Sequence, residues 1–376
     1  MILRRSSTHL SRLAAVCLAV ALTACTAAPT PTPTPMPTDA PPTPAPTAIP
    51  TATPVPHPAL AADADGFAAL ARLGRGVNLG NMLEAPNEGG WGLTVQAADF
   101  PTIRAAGFDH VRVPIRWSAH TAVDAPFTID PVFFERIDWV IDQALANDLA
   151  VVLNIHHYDE LYTEPTVHDD RFVAIWTQIA ERYRDRPAEV MFELLNEPHD
   201  ALGAARWNRI MLKALTAVRA SNPTRTVIVG PIEWNSFSRL KDLELPDEDT
   251  HLIATFHYYL PFEFTHQGAE WAAGSDAWLG RTWSGTGLDA TDVDTHFDLA
   301  AAWANEHNRP LYLGEFGAYS KADLESRVRW TTYVARAAES RAMAWAYWEF
   351  ASGFGVYDPT AGAWREPLLK ALIPAP

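Results

Sequence analysis

Two glutamates stand out because each closes an apolar run: Glu197 in Leu195-Asn196-Glu197-Pro198 and Glu315 in Gly314-Glu315-Phe316-Gly317. A pair of carboxyls can divide the cutting of a glycosidic bond. One attacks the sugar carbon and the other protonates the leaving oxygen, provided they stand about 5 Å apart. Other reactive types end similar runs: Asn81, Arg112, His156 with His157, His257, Tyr259 and Trp348. Polar groups at the ends of buried strands lose water and need partners, so their recurrence points to one shared site. Arg112 and the Tyr259 hydroxyl are suited to holding one glutamate ionised as a nucleophile, while the other needs a raised pKa to remain an acid.

The elements that must position these groups are short and regular. Eight runs read as strands: 76–80, 108–113, 150–155, 190–195, 226–229, 252–256, 311–313 and 344–348. Between them lie longer segments with helical periodicity, among them Pro131 to Asn147, Asp169 to Tyr183, Arg206 to Ala220, Asp292 to Asn305 and Ala322 to Ala338. Such alternation over 59–376 predicts an α/β fold, a (β/α)₈ TIM barrel forming a single catalytic domain. In that fold the site lies at the C-terminal ends of the strands, where Glu197 and Glu315, three strands apart, face each other across the mouth.

Arg112-Val113-Pro114, Ile155-His156-His157, Leu195-Asn196-Glu197-Pro198, His257-Tyr258-Tyr259, Gly314-Glu315-Phe316-Gly317 and the Trp348 strand, in this order, resemble glycoside hydrolase family 5. The segment Phe262 to Trp271 further resembles the bacterial endoglucanase and mannanase branch of that family. The resemblance implies Glu197 as acid/base, Glu315 as nucleophile, Asn196 as partner of the sugar 2-hydroxyl and Trp348 as the platform beneath the sugar that is cut. It also implies that Asn81, Glu84, His156, His157, Trp234, His266, Trp271 and Glu349 line the cleft. The expected activity is retaining, endo-acting hydrolysis of a β-1,4-linked polysaccharide, with β-1,4-glucan first and mannan or xyloglucan as alternatives.

Competing readings are weaker. The histidines with Glu197 and Glu315 are also metal-ligand types, but no compact two-histidine helix motif accompanies them, so no metal is expected. A non-catalytic sugar-binding barrel would have lost a carboxylate, and both are present. No glycine-rich phosphate cradle precedes a helix, so no cofactor is expected. The formal charge of 29 − 45 = −16 disfavours nucleic acid as a partner. Trp117, Trp139, Trp176, Trp207 and Trp303 read as core or helix packing, and Asp247 to Asp249 as a solvated loop. The domain is expected to act as a monomer.

Ahead of the domain, Arg4, Arg5 and Arg12 precede an apolar run from Leu13 to Leu22, too short to span a bilayer and suited to a signal peptide. Leu22-Thr23-Ala24-Cys25 follows and resembles a bacterial lipobox. Residues 1–24 are thus expected to be a lipoprotein signal, with Cys25 lipidated as the membrane anchor of an exported, cell-surface protein. Residues 25–58 form a linker, and 13 of the 30 prolines lie between Thr26 and Pro58. Extended at ~3.1 Å per residue, such a stretch holds a domain up to ~100 Å from its anchor. Both cysteines, Cys17 and Cys25, fall in this leader, so the domain is built without a disulfide.

Overall fold

The computed structural model describes residues 56–374; the signal segment, Cys25 and the linker through residue 55 lie outside the described residues. Eight parallel strands close into one barrel in sequence order: β1 (Arg75–Asn78), β2 (His110–Val113), β3 (Ala150–Asn154), β4 (Val190–Glu193), β5 (Val227–Val229), β6 (Leu252–Tyr258), β7 (Leu311–Phe316) and β8 (Ala344–Tyr347), with β8 pairing back onto β1. The eight predicted strands and the TIM barrel are therefore present, and no described helix is long and apolar enough to cross a membrane.

Alternation along each strand sorts residues between two cores. On β3, Val151 and Leu153 pack outward among the helices, while Ala150 and Val152 pack inward with Met191, Ile228, Ile253 and Tyr312. The helix Gly66–Leu73, capped at its N-terminus by Asp65, closes the lower end of the barrel with Ala69, Leu70 and Leu73. Going up the barrel, inward positions turn polar: Asn78 on β1, Arg112 on β2, Asn154 on β3 and Glu193 on β4, all fully buried. The barrel is thus apolar below and charged at its mouth.

The five helices expected from periodicity occur as Pro131–Ala146, Pro165–Tyr183, Ala204–Ser221, Leu288–Glu306 and Leu324–Glu339. The second starts four residues before Asp169 because Pro165 opens it, a position where the missing N–H costs nothing. Trp117, Trp176, Trp207 and Trp303 are buried, and Trp139 packs under the Arg136 guanidinium. The acidic loop at 247–249 departs from expectation at one residue. Asp249 is not solvated: it takes a two-pronged ion pair from Arg219 at 2.7 and 3.0 Å. Packing also begins ahead of Ala59, since His57 reaches Asp148 and Asp109, each at 3.0 Å.

Candidate active site

The barrel mouth is organised by a break in regular pairing. Between β6 and β7 the register runs Phe256 opposite Leu313 and then His257 opposite Glu315, a shift of one residue. A bulge of this kind re-aims side chains, and here it sets His257 beside Glu315. Gly314 fills the skipped place because a Cβ there would stand 3.0 Å from the His257 ring. Four residues past the end of β4, Glu197 adopts φ +48°, uncommon for a residue with a Cβ. This turn is held by His199 Nδ1 on the Glu197 carbonyl at 2.5 Å and by the Trp234 N–H on the Pro198 carbonyl at 3.3 Å.

These two devices bring the carboxyls together. One oxygen of Glu197, one of Glu315 and a ring nitrogen of His257 all lie within 4.8 Å of one another. His257 Nδ1 stands 2.8 Å from Glu197 Oε1 and 3.6 Å from Glu315 Oε2. The two oxygens of Glu315 take separate donors: Arg112 Nη1 to Oε1 at 2.6 Å and the Tyr259 hydroxyl to Oε2 at 2.9 Å. Asn196 is fixed by Arg112 Nη2, which donates to its Oδ1 at 2.8 Å, and its Nδ2 lies 3.4 Å from Glu197 Oε2.

The electrostatics differ between the two. Burial pushes the Glu197 carboxyl up to about 7, outweighing the opposing pull of Arg112. Burial also raises Glu315, but His257 and Arg112 draw it back, and both hydrogen bonds it accepts favour the carboxylate. His257 is pushed down to about 4, chiefly by burial, and is neutral at ordinary pH. Glu197, His257 and Glu315 are also the combination a metal reading requires. Both oxygens of Glu315 are already engaged, however, and a dication there would stand against the buried Arg112 guanidinium. The donor set fits proton and nucleophile chemistry better.

The remaining predicted residues surround this centre. His156 is buried and stacks on the Trp348 indole at 5.5 Å and 10°, and His157 meets His156 edge-on at 4.7 Å. Glu84 accepts the backbone N–H groups of Asn81 and of Met82, the latter at 3.0 Å. Burial lifts Glu84 to about 7 and Glu349 to about 8, each further raised by another glutamate nearby. His266 lies edge-on to Tyr259 at 5.0 Å. Trp234 and Trp271 are further out and open to solvent, 53% and 63% exposed. Trp234 stacks on His199 at 4.9 Å, and Trp271 leans on Tyr319 at 5.0 Å. Tyr319 and Lys321 both bond Glu270, at 2.7 Å each, which ties the Trp271 loop to the end of β7.

Residues 71–353 match the family Cellulase (glycosyl hydrolase family 5). The chain belongs to this family. Endoglucanase H of Acetivibrio thermocellus is 38% identical over 285 residues, which are 76% of this chain and 30% of that protein. The chain thus spans about a third of that relative's length. Endoglucanase Cel5A of Thermotoga maritima superposes with a TM-score of 0.81 at 50% identity, covering 82% of this chain and 100% of that one. Its structures with mannotriose and with cellobiose superpose equally well. The cellulose synthase subunit Z of Clostridioides difficile superposes with a TM-score of 0.78 at 41% identity, over 80% of this chain and 99% of the other.

Sequence reasoning passed over several groups that this family 5 member places in the site. Asn78 accepts from Arg112 Nη1 at 2.8 Å and donates to the Gly314 carbonyl at 3.1 Å. Glu193 accepts from Nε and Nη2 of the same guanidinium. Asn235 Nδ2 lies 3.3 Å from His257 Nε2, and the Tyr162 hydroxyl bonds the carbonyls of His156 and Asn196 at 2.8 and 2.7 Å. Trp91, 44% exposed, meets His157 edge-on at 5.8 Å. For Asn78 and Glu193 a signal existed: a polar residue at an inward position of a fully buried strand needs a partner. Trp91 sits in an irregular loop, where no periodicity marks it.

Proposed function

We propose that the chain is a retaining, endo-acting β-1,4-glycosidase whose first substrate is β-1,4-glucan. The observation that carries this reading is the pair Glu197 and Glu315, with oxygens within 4.8 Å. That spacing leaves no room for a water between carboxyl and sugar and suits double displacement. Glu315, oriented by Arg112 and Tyr259, attacks the anomeric carbon while Glu197 gives its proton to the departing oxygen. Glu197, now a carboxylate, then takes a proton from water as that water attacks the same carbon and releases Glu315. Trp348 offers a flat apolar face to the sugar, and Asn196 an amide to its 2-hydroxyl.

Mannan and xyloglucan are the second reading. Its support is that the Thermotoga maritima relative has been captured with mannotriose as well as cellobiose. Hydrolysis of carboxymethyl-cellulose, glucomannan, mannan, xyloglucan and xylan by the purified protein tests substrate choice. NMR of the first product tests retention, and an inverted product would remove Glu315 as nucleophile.

We further propose that residues 1–24 are a lipoprotein signal, that a lipid on Cys25 anchors the protein at the bacterial cell surface, and that the 25–58 linker lets one barrel act as a monomer away from it. The support is the order of basic residues, apolar run, Leu-Thr-Ala-Cys and proline-rich tract. Every proposed catalytic group comes from one chain. Cys25→Ala is expected to release the protein from membranes with its activity intact, and unchanged attachment overturns the anchor.

A further inference from the structure

Arg112 is buried completely, and its guanidinium serves two acids at once. Nη1 donates to Glu315 at 2.6 Å, while Nε and Nη2 donate to the two oxygens of Glu193 at 2.6 and 2.8 Å. Glu193 is also fully buried, at the end of β4 and four residues before Glu197. This is a bidentate pair of the strongest kind, and the reaction as derived makes no use of it.

The need for it follows from counting charge through the cycle, on the reading of Glu315 as nucleophile. Before attack the buried groups are one cation, Arg112, and two anions, Glu193 and Glu315. When Glu315 bonds to the sugar carbon it becomes an ester, and its negative charge passes to Glu197, which has given up its proton to the leaving group. Arg112 then keeps one directly bonded carboxylate, Glu193. Without that partner the buried guanidinium would have no carboxylate hydrogen-bonded to it in the glycosyl-enzyme, the new charge resting on Glu197 instead, an arrangement proteins disfavour. We infer that Glu193 is a positioning residue that keeps Arg112 paired through both displacements and thereby sets the charge that Glu315 and Glu197 feel.

The surrounding groups leave Glu193 as the source of this balance. His156 after β3, His110 on β2 and His257 on β6 are all lowered by burial and are neutral. Tyr312 on β7 and Tyr259 after β6 are raised by burial and stay protonated. That leaves Glu197 and Glu315 as the titrating acids nearest the Arg112–Glu193 pair, with Glu84 and Glu349 also raised by burial and further by Glu315.

Substituting Glu193→Gln removes one negative charge from this cluster. Both catalytic carboxyls should then lose protons more easily, and Glu315 should be a weaker nucleophile. The test is carbon-13 NMR titration of protein labelled at the glutamate carboxyls, with the Glu197 and Glu315 signals assigned through their alanine variants. In Glu193→Gln both midpoints are expected to fall by about one pH unit, and the glycosylation rate on an aryl β-cellobioside by about tenfold or more. In Glu193→Asp, where the charge only recedes by one methylene, the midpoints are expected to move the same way by a smaller step. Should the amide variant not fold, the aspartate variant decides alone. Unmoved midpoints in a folded variant overturn the inference and leave Glu193 a packing residue. The titration needs no substrate, so a wild-type protein inactive on the cellobioside would refute the glycosidase reading separately.

Discussion

His257 Nδ1 lies 2.8 Å from Glu197 Oε1, so the proposed proton donor rests against an imidazole rather than against a cation. Burial holds that imidazole down to about 4, so it is neutral at ordinary pH. A histidine therefore does not supply the alkaline limb of the pH profile. On the proposed mechanism that limb belongs to Glu197, raised to about 7 by burial. The acid must be protonated to act, so kcat/KM on polysaccharide is expected to fall as pH rises through about 7. In Glu197→Ala the limb should vanish from the glycosylation step measured with an activated aryl glycoside. A limb that persists there assigns the titration to another group.

The two carboxyls separate by chemistry. Glu315→Ala is expected to abolish turnover on every substrate, since no other group can form the covalent intermediate. Glu197→Ala loses proton transfer, worth ~10² to 10⁴ in rate, on natural polysaccharide. It should keep fast glycosylation by an aryl glycoside with a good leaving group, and azide should rescue its second step to give a β-glycosyl azide. Product analysis decides: a β-glycosyl azide from Glu315→Ala reverses the roles.

Three carboxyls, the buried Glu84 and Glu349 and the half-buried Glu197, sit at about 7, 8 and 7 in the folded protein. Unfolded, each ionises near the ordinary ~4.3. Between these values the native state binds more protons than the unfolded state, so stability falls as pH rises. Acids held low have finished ionising beneath this window; Glu270 is kept down to about 2 by Lys321 and Tyr319. Thermal unfolding is therefore expected to show a Tm that declines from pH 5 to 8. The double variant Glu84→Gln, Glu349→Gln should flatten the decline, and an unchanged slope would falsify the assignment.

Gly317 ties stability to Trp348, the proposed platform beneath the sugar. A Cβ at that position would stand 2.1 Å from the Trp348 carbonyl oxygen, a backbone atom that cannot swing aside, and 3.1 Å from the Phe354 ring. Gly317→Ala is expected to cost about 1–3 kcal/mol of stability. It should also raise KM by displacing Trp348 from its stack on His156. Chemical denaturation with steady-state kinetics on the same preparation checks both, and a variant with native stability refutes the clash.

Local pattern sufficed for the barrel because parallel strands buried on both faces must read as short apolar runs separated by amphipathic helices. The same pattern marked Glu197, Glu315, Arg112 and His257, since charged or polar residues at the ends of such runs have no other reason to be there. Tertiary structure alone decided which group each one meets. The one-residue shift at His257 depends on how β6 seats against β7. The left-handed turn at Glu197 depends on contacts from His199 and Trp234. Glu193 and Asn78 became part of the site only when closure of the barrel pointed them at one guanidinium. Periodicity reports which way a side chain faces, whereas a pKa or a charge pair depends on distances of a few ångströms between residues far apart in sequence, 203 positions in the case of Arg112 and Glu315. Those distances are set when the eighth strand closes on the first.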